Sequence, residues 1–273
     1  MTALLEPLLV VELLLLGTAT GFLAGLLGVG GGMVMVPFLT LLLTQRGVNA
    51  DLAIKMAIAT AMATILFTSL ATMRAHHRRG AVRWDIVRGL APGIVLGGLA
   101  AGAGVFALVK GQALALTFAA FVAFTATQML LARTPKPTRQ LPGRLGQAAA
   151  GGGIGFVSGL VGAGGAFIAV PFMSRCNVPL HNAVATGAAI GFPIALANTL
   201  GYVIGGWSQP TALPGAVGFL YLPALAVIAL ASVLVAPLGA RVAHALDVRQ
   251  LRRIFAAMLY LLAVDMLWRG LRG

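Results

Sequence analysis

One stretch of this chain is written twice. GFLAGLLGVGGGMVMVPF, residues 21–38, aligns without a gap on GFVSGLVGAGGAFIAVPF, residues 155–172, at an offset of 134. Gly21, Gly25, Gly28, Gly30, Gly31, Pro37 and Phe38 fall on Gly155, Gly159, Gly162, Gly164, Gly165, Pro171 and Phe172. Both halves must therefore accommodate a glycine cluster at the same point of an apolar run. Gly28 to Gly32, followed by the alternation of Met33 to Val36 and then Pro37, reads as a break in a helix. The residue before a proline avoids the α region, and proline suits the first turn of a new helix. The pattern predicts that Pro37, and Pro171 by repetition, mark the break and open a second, shorter half-helix.

The setting of these stretches is apolar. Of 273 residues 59% are hydrophobic and 9% charged, too few ionisable groups to cover a water-soluble domain of this length. Apolar runs of about 20 residues, the length that spans a hydrocarbon core, recur from end to end, so the expected class is an all-α integral membrane protein. The first half reads as a broken segment over 8–46 and spans over 52–73, 84–109 and 112–132. The second reads as a broken segment over 145–174 and spans over 180–205, 215–240 and 251–269. Between them RTPKPTRQLPGR, residues 133–144, has the prolines and cations of a linker. The expected organisation is two four-segment membrane repeats, 1–132 and 145–273, joined by a basic cytoplasmic linker. Ala57 to Thr60 also match Ala183 to Thr186 at an offset of 126, which carries the duplication beyond the glycine motif. The N-terminus lacks a basic n-region and has Glu6 and Glu12, so it reads as part of the mature protein.

A net charge of +13 raises nucleic acid as a partner. The cations sit in short loops between apolar runs, as orientation signals do, rather than forming one footprint; no nucleic acid is expected. The lone Cys176 excludes an internal disulfide and gives no metal-ligand spacing, and no metal or cofactor is expected. No HExxH, no paired carboxylates and no Ser/His couple fall at depth, which argues against an enzyme. With no nucleotide-binding loop, ATP would have to act through another subunit.

Charge also bears on architecture. If all eight segments crossed the membrane from an inside N-terminus, the nineteen cations would divide eleven inside to eight outside. If each broken segment is a re-entrant hairpin, the two halves are inverted and the division becomes fourteen to five. The positive-inside rule favours the second arrangement, and inverted repeats with discontinuous helices recur in secondary transporters.

A broken helix in lipid leaves backbone groups unpaired at several kcal/mol each unless something satisfies them. Half-helix N-termini attract anions, and glycine lets a ligand approach the backbone. Gly28, Gly30, Gly31 and Gly32, with Gly162, Gly164 and Gly165, are therefore candidates for a shared substrate pocket. The flanking Gly21, Gly25, Gly155 and Gly159 read as helix-packing faces. Thr60 and Thr186 offer hydroxyls to an oxyanion or bond their own helix carbonyls. Asn198, beside Thr199, is a polar candidate inside an apolar span. Lys55 and His181, matched at the 126 offset, form an electrostatic collar or snorkel to the surface. Asp265 and Arg269 have the spacing of an i, i+4 ion pair.

The doubled GxxxGxxGxGG followed by proline, the stretch ATAMATILFTSLATMRAHHRRGAVRW from Ala59 to Trp84, and the four-plus-four segments resemble the sulfite exporter TauE/SafE family of bacterial membrane permeases. The resemblance covers nearly the whole chain. It implies a multi-pass protein of the bacterial inner membrane that moves small sulfur-containing anions such as sulfite or organosulfonates, with another small organic anion as an alternative. The family's glycine motifs fall on Gly28, Gly30, Gly31, Gly32 and Pro37 and on Gly162, Gly164, Gly165 and Pro171; Ala166 departs from it where the first copy has Gly32. A passive anion channel using the same backbone donors is the competing function. Expected partners are a small anionic substrate and the lipid bilayer, with homo-oligomerisation open.

Overall fold

The structure, a computed structural model, describes residues 7–27, 31–131, 139–208, 213–243 and 248–272. In the first half these form α1 (Pro7–Leu27), α2 (Gly32–Gln45), α3 (Ala50–Arg78), α4 (Trp84–Leu108) and α5 (Gly111–Leu131). In the second half they form α6 (Arg144–Val161), α7 (Ala166–Arg175), α8 (Leu180–Gly206), α9 (Leu222–Ala243) and α10 (Val248–Arg272). Seven of these, α1, α3, α4, α5, α8, α9 and α10, are long and apolar enough to cross a membrane. Leu15, Leu96, Phe124, Ile204, Leu234 and Leu261 point outward from them and are exposed. Such a surface has no place in water and suits hydrocarbon.

Local signals explain several helix ends. Asn49 caps α3 by accepting the Asp51 N–H at 2.9 Å, and Asp51 in the first turn with His76, His77 and Arg78 in the last match the helix dipole. Within α4 the backbone widens to a π-helical stretch over Ala100–Val105.

α3 and α8 form the centre: 61% of their most apolar stretches are buried, against 33% for α1, α9 and α10. They pack on each other; α1 packs on α9, α6 on α4, and α5 on α10. Exchanging each helix for the one five places away leaves this pairing unchanged. Glycine makes the α4–α6 contact close, since a Cβ at Gly155 would collide with the Ile94 carbonyl.

The sense of the chain follows from contacts at helix ends. Arg46 after α2 pairs with Glu12 in α1 at 2.6 Å, so α2 brings the chain back to the level of Glu12. The Arg139 N–H, ahead of α6, donates to the Arg175 carbonyl at the end of α7 at 3.1 Å, and the same return holds there.

Two expectations need correction. Pro37 and Pro171 do not open helices; each is the sixth residue of its helix, inside α2 and α7. The glycines ahead of them set the break, and a proline inside a membrane helix removes one backbone bond that its surroundings tolerate. The span expected over 215–240 begins as helix only at Leu222. Before it Ala216–Val217 and Leu220–Tyr221 pair as a two-stranded antiparallel hairpin, turned through Gly218 at φ +58°. Its apolar residues pack inward, which made the sequence read as the start of a span.

Candidate functional site

The second glycine break is fully described. α6 ends at Val161, and Gly162 takes the left-handed conformation, φ 64° and ψ 24°, with its N–H donating to the Ser158 carbonyl at 3.0 Å. This is a glycine C-cap of the kind that ends helices in soluble proteins. Gly165 caps the N-terminus of α7 with no side-chain hydrogen bond. In the first break Gly28 and Gly30 lie outside the described residues; Gly31 is the N-cap of α2 and Gly32 its first residue.

The two breaks meet. A Cβ at Gly32 would lie 2.8 Å from the Gly162 carbonyl oxygen and 3.0 Å from Ile65 Cδ1. Gly162 faces Ile58, and Gly164 has Ile65 at an ordinary 3.5 Å. Gly31, whose Cβ would press on the Thr20 carbonyl at 2.6 Å, backs onto α1. The structure thus gathers Gly32, Gly162 and Gly164 around Ile58 and Ile65 of α3. The hollow expected between the breaks is closed at this point, because bare backbone on both sides lets them touch. A cavity of about 430 Å³ lies elsewhere, at the end of the molecule lined by Thr40, Thr44, Asp51, Lys110, Trp268 and Arg269.

Gly165 looks the other way, toward Ile154, Ser158 and Ile194. Asn198, wholly buried, belongs to this side. Its Nδ2 donates to the Ile194 carbonyl at 2.8 Å and the Gly155 carbonyl at 3.3 Å, while its Oδ1, set against Gly159, has no partner among the described residues. Tyr202 completes the wall by donating its hydroxyl to the Gly159 carbonyl.

Thr60 and Thr186 each hold a backbone N–H. Both are wholly buried. Thr60 Oγ1 accepts the Tyr221 N–H at 3.1 Å and Thr186 Oγ1 accepts the Arg83 N–H at 3.0 Å. Each hydroxyl thus accepts from the other half of the chain, which neither an oxyanion role nor a bond to its own helix anticipates. Lys55 also departs from both expectations, collar and snorkel. It is 7% exposed, and Nζ pairs with Asp51 at 3.1 Å and donates to the Ala107 carbonyl at 3.3 Å, tying α3 to the end of α4. His181 is exposed. Asp265 and Arg269 pair at 2.8 Å, as their spacing implied.

Sequence reasoning passed over Ser158 and Tyr202. For Ser158 the signal lay in the repeat: it is a hydroxyl where the first copy has Ala24. Among the described residues no three His, Cys, Asp or Glu side chains gather as metal ligands.

Outward apolar faces, seven membrane-length helices and two glycine-capped breaks define a multi-pass α-helical membrane protein. The family model for the sulfite exporter TauE/SafE family matches residues 13–266, and the chain belongs to that family. A probable membrane transporter protein of Haemophilus influenzae is 33% identical over 254 residues, covering 93% of this chain and 96% of that one. A probable membrane transporter protein of Methanocaldococcus jannaschii is 23% identical over 273 residues, covering 97% and 96%. Another, of Bacillus subtilis, is 28% identical over 234 residues, covering 76% and 84%. No solved structure matches the chain. The protein is a membrane transporter of the TauE/SafE type.

Proposed function

We propose that this transporter moves small sulfur-containing anions, such as sulfite or organosulfonates, across the bacterial inner membrane by alternating access. Its halves, 1–132 and 145–273 about the linker 133–144, act as inverted repeats whose broken segments are re-entrant. The anion route passes the breaks, with Gly28, Gly30, Gly31, Gly32, Gly162, Gly164 and Gly165 as its candidate residues.

The observation that carries this reading is the meeting of Gly32 with Gly162, beside two helix starts. In α2 the Gly32 and Met33 N–H groups precede the first backbone bond, made by Val34 to the Gly31 carbonyl at 3.1 Å. In α7 those of Ala166 and Phe167 precede the bond from Ile168 to Gly165. Each start carries about half a positive charge, which favours an anion through the backbone itself. The inverted arrangement draws support from the returns at Arg46–Glu12 and Arg139–Arg175. Charge agrees with it. Arg74, Arg78, Arg79, Arg83, Arg139, Arg144 and Arg175 cluster at the α3, α6 and α7 ends of one face, and Arg46, Lys55, Lys110 and Arg269 at the other. The positive-inside rule makes the first face cytoplasmic.

The test is sulfite flux in proteoliposomes. It should saturate with concentration, and Gly164→Val should abolish most of it in folded protein, because a side chain there meets Ile65 only at 3.5 Å. Unsaturated flux with unitary currents would favour a passive channel instead. Full activity of Gly164→Val would remove the breaks from the route.

A further inference from the structure

The last turn of α6 carries a hydroxyl that no described residue takes up. Ser158 is 1% exposed and its Oγ has no partner among the described residues. Helical Ser and Thr hydroxyls ordinarily return to the carbonyl three or four residues back, as Thr20, Thr40, Thr64 and Thr125 do here. A buried polar group left unpaired is costly and calls for a reason.

Its surroundings supply one. Ser158 Oγ lies 3.1 Å from where a Cβ on Gly165 would sit, so it is aimed at the N-cap of the ten-residue helix α7. The N–H groups of Ala166 and Phe167, ahead of the first backbone bond of α7, open at the same end, where Gly164, Ala166 and Phe167 remain partly accessible. A hydroxyl and the positive end of a helix converge, all of them donors. The first break lacks this hydroxyl, since Ala24 stands there in place of Ser158. Ile154 Cγ2, 2.8 Å from the same Cβ point, and Ile194 Cδ1 roof the spot.

We infer that Ser158 and the N-terminus of α7 form a seat for one oxygen of a small oxyanion. The substrate is then held by the second break and not symmetrically by both, and the Ile194 side chain swings aside to admit it. This assignment rests on the proposed transport of sulfur-containing anions.

The experiment compares the full-length protein with Ser158→Ala, Ser158→Thr and Ala24→Ser. Thermal unfolding in detergent is followed with and without sulfite, sulfoacetate and sulfate, beside sulfite flux in proteoliposomes. Without anion, Ser158→Ala should unfold at or above the wild-type temperature, since it removes an unpaired buried hydroxyl. With anion it should lose most of the stabilisation, and its KM for sulfite should rise roughly tenfold or more, the worth of one hydrogen bond to a charged group. Ser158→Thr should keep both responses, and Ala24→Ser should alter neither. A lower unfolding temperature for Ser158→Ala without anion would assign the hydroxyl a structural partner and overturn the seat. Equal anion stabilisation and equal KM in Ser158→Ala would overturn it while leaving transport standing. A wild type that no anion stabilises and that carries no sulfite flux would bring down both.

Discussion

Thr60 accepts the backbone N–H of Tyr221 at 3.1 Å across the two halves of the chain. Tyr221 immediately precedes α9, and the counterpart Thr186 holds Arg83, which immediately precedes α4, at 3.0 Å. In each half a threonine of the central helix pins the residue ahead of a helix in the other. Tyr221 is buried and Arg83 exposed, so water can replace the threonine at the second N–H and not at the first. We expect Thr60→Val to lower stability by about 1–3 kcal/mol and Thr186→Val by less, with the serine variants near wild type. Unfolding in detergent measures this, and an equal loss at both positions would contradict the assignment.

The conformation of Gly162 sets a second expectation. At φ 64°, with Ile58 Cγ2 3.1 Å from its Cβ position, Gly162→Ala should cost about 1–2 kcal/mol from the backbone alone. Gly164→Ala should be close to neutral. Comparing the two separates strain from loss of transport.

Glu12 and Arg46 are 29% and 20% exposed at their side chains, between the regimes of surface and buried pairs. Glu12→Gln should destabilise by about 1–3 kcal/mol. The exchange of the two residues, Glu12→Arg with Arg46→Glu, should recover much of it. A double-mutant cycle with no coupling would detach the end of α2 from α1.

The proposed orientation is open to labelling. In intact cells a membrane-impermeant thiol reagent should reach single cysteines placed at Lys110 or Arg269 and not one placed at Arg79. Labelling of all three, or of Arg79 alone, would reject the arrangement.

The native Cys176 should stay silent in that experiment. It is buried, and burial raises its thiol above the ordinary range, outweighing the nearby Arg139, which lowers it. The reactive thiolate is therefore scarce near neutrality and grows as pH rises. In the detergent-purified protein, where both faces are accessible, labelling at pH 7 should be slow and should speed up in alkali; rapid labelling at neutral pH would show that the end of α7 opens.

The broken segments, the duplication and most spans were legible because each is written locally, in glycine clusters and apolar runs. The Asp265–Arg269 pair was legible for the same reason. Thr60, Thr186 and Lys55 were visible as polar residues in apolar sequence, but their partners Tyr221, Arg83 and Ala107 lie in distant segments that only the packing of α9 on α3 and of α4 on α8, and the reach of Lys55 to the end of α4, bring near. Pro37 misled because proline is a strong local signal, whereas the bare backbone of the preceding glycines decides where the helix stops. The closeness of Gly32 to Gly162 could not be read from either copy alone.

The π-helical stretch Ala100–Val105 resets the facing of the last residues of α4. A wide turn holds one residue more than an α-helical turn, so it rotates every later side chain by roughly 100° relative to an uninterrupted helix. That offset brings Phe106 onto the rings of Tyr202 and Phe219, at centroid separations of 4.5 and 5.5 Å. It also aims the Ala107 carbonyl at Lys55. The bulge works as a registration key: a single deletion within it would straighten the rod and unseat both the aromatic cluster and the lysine.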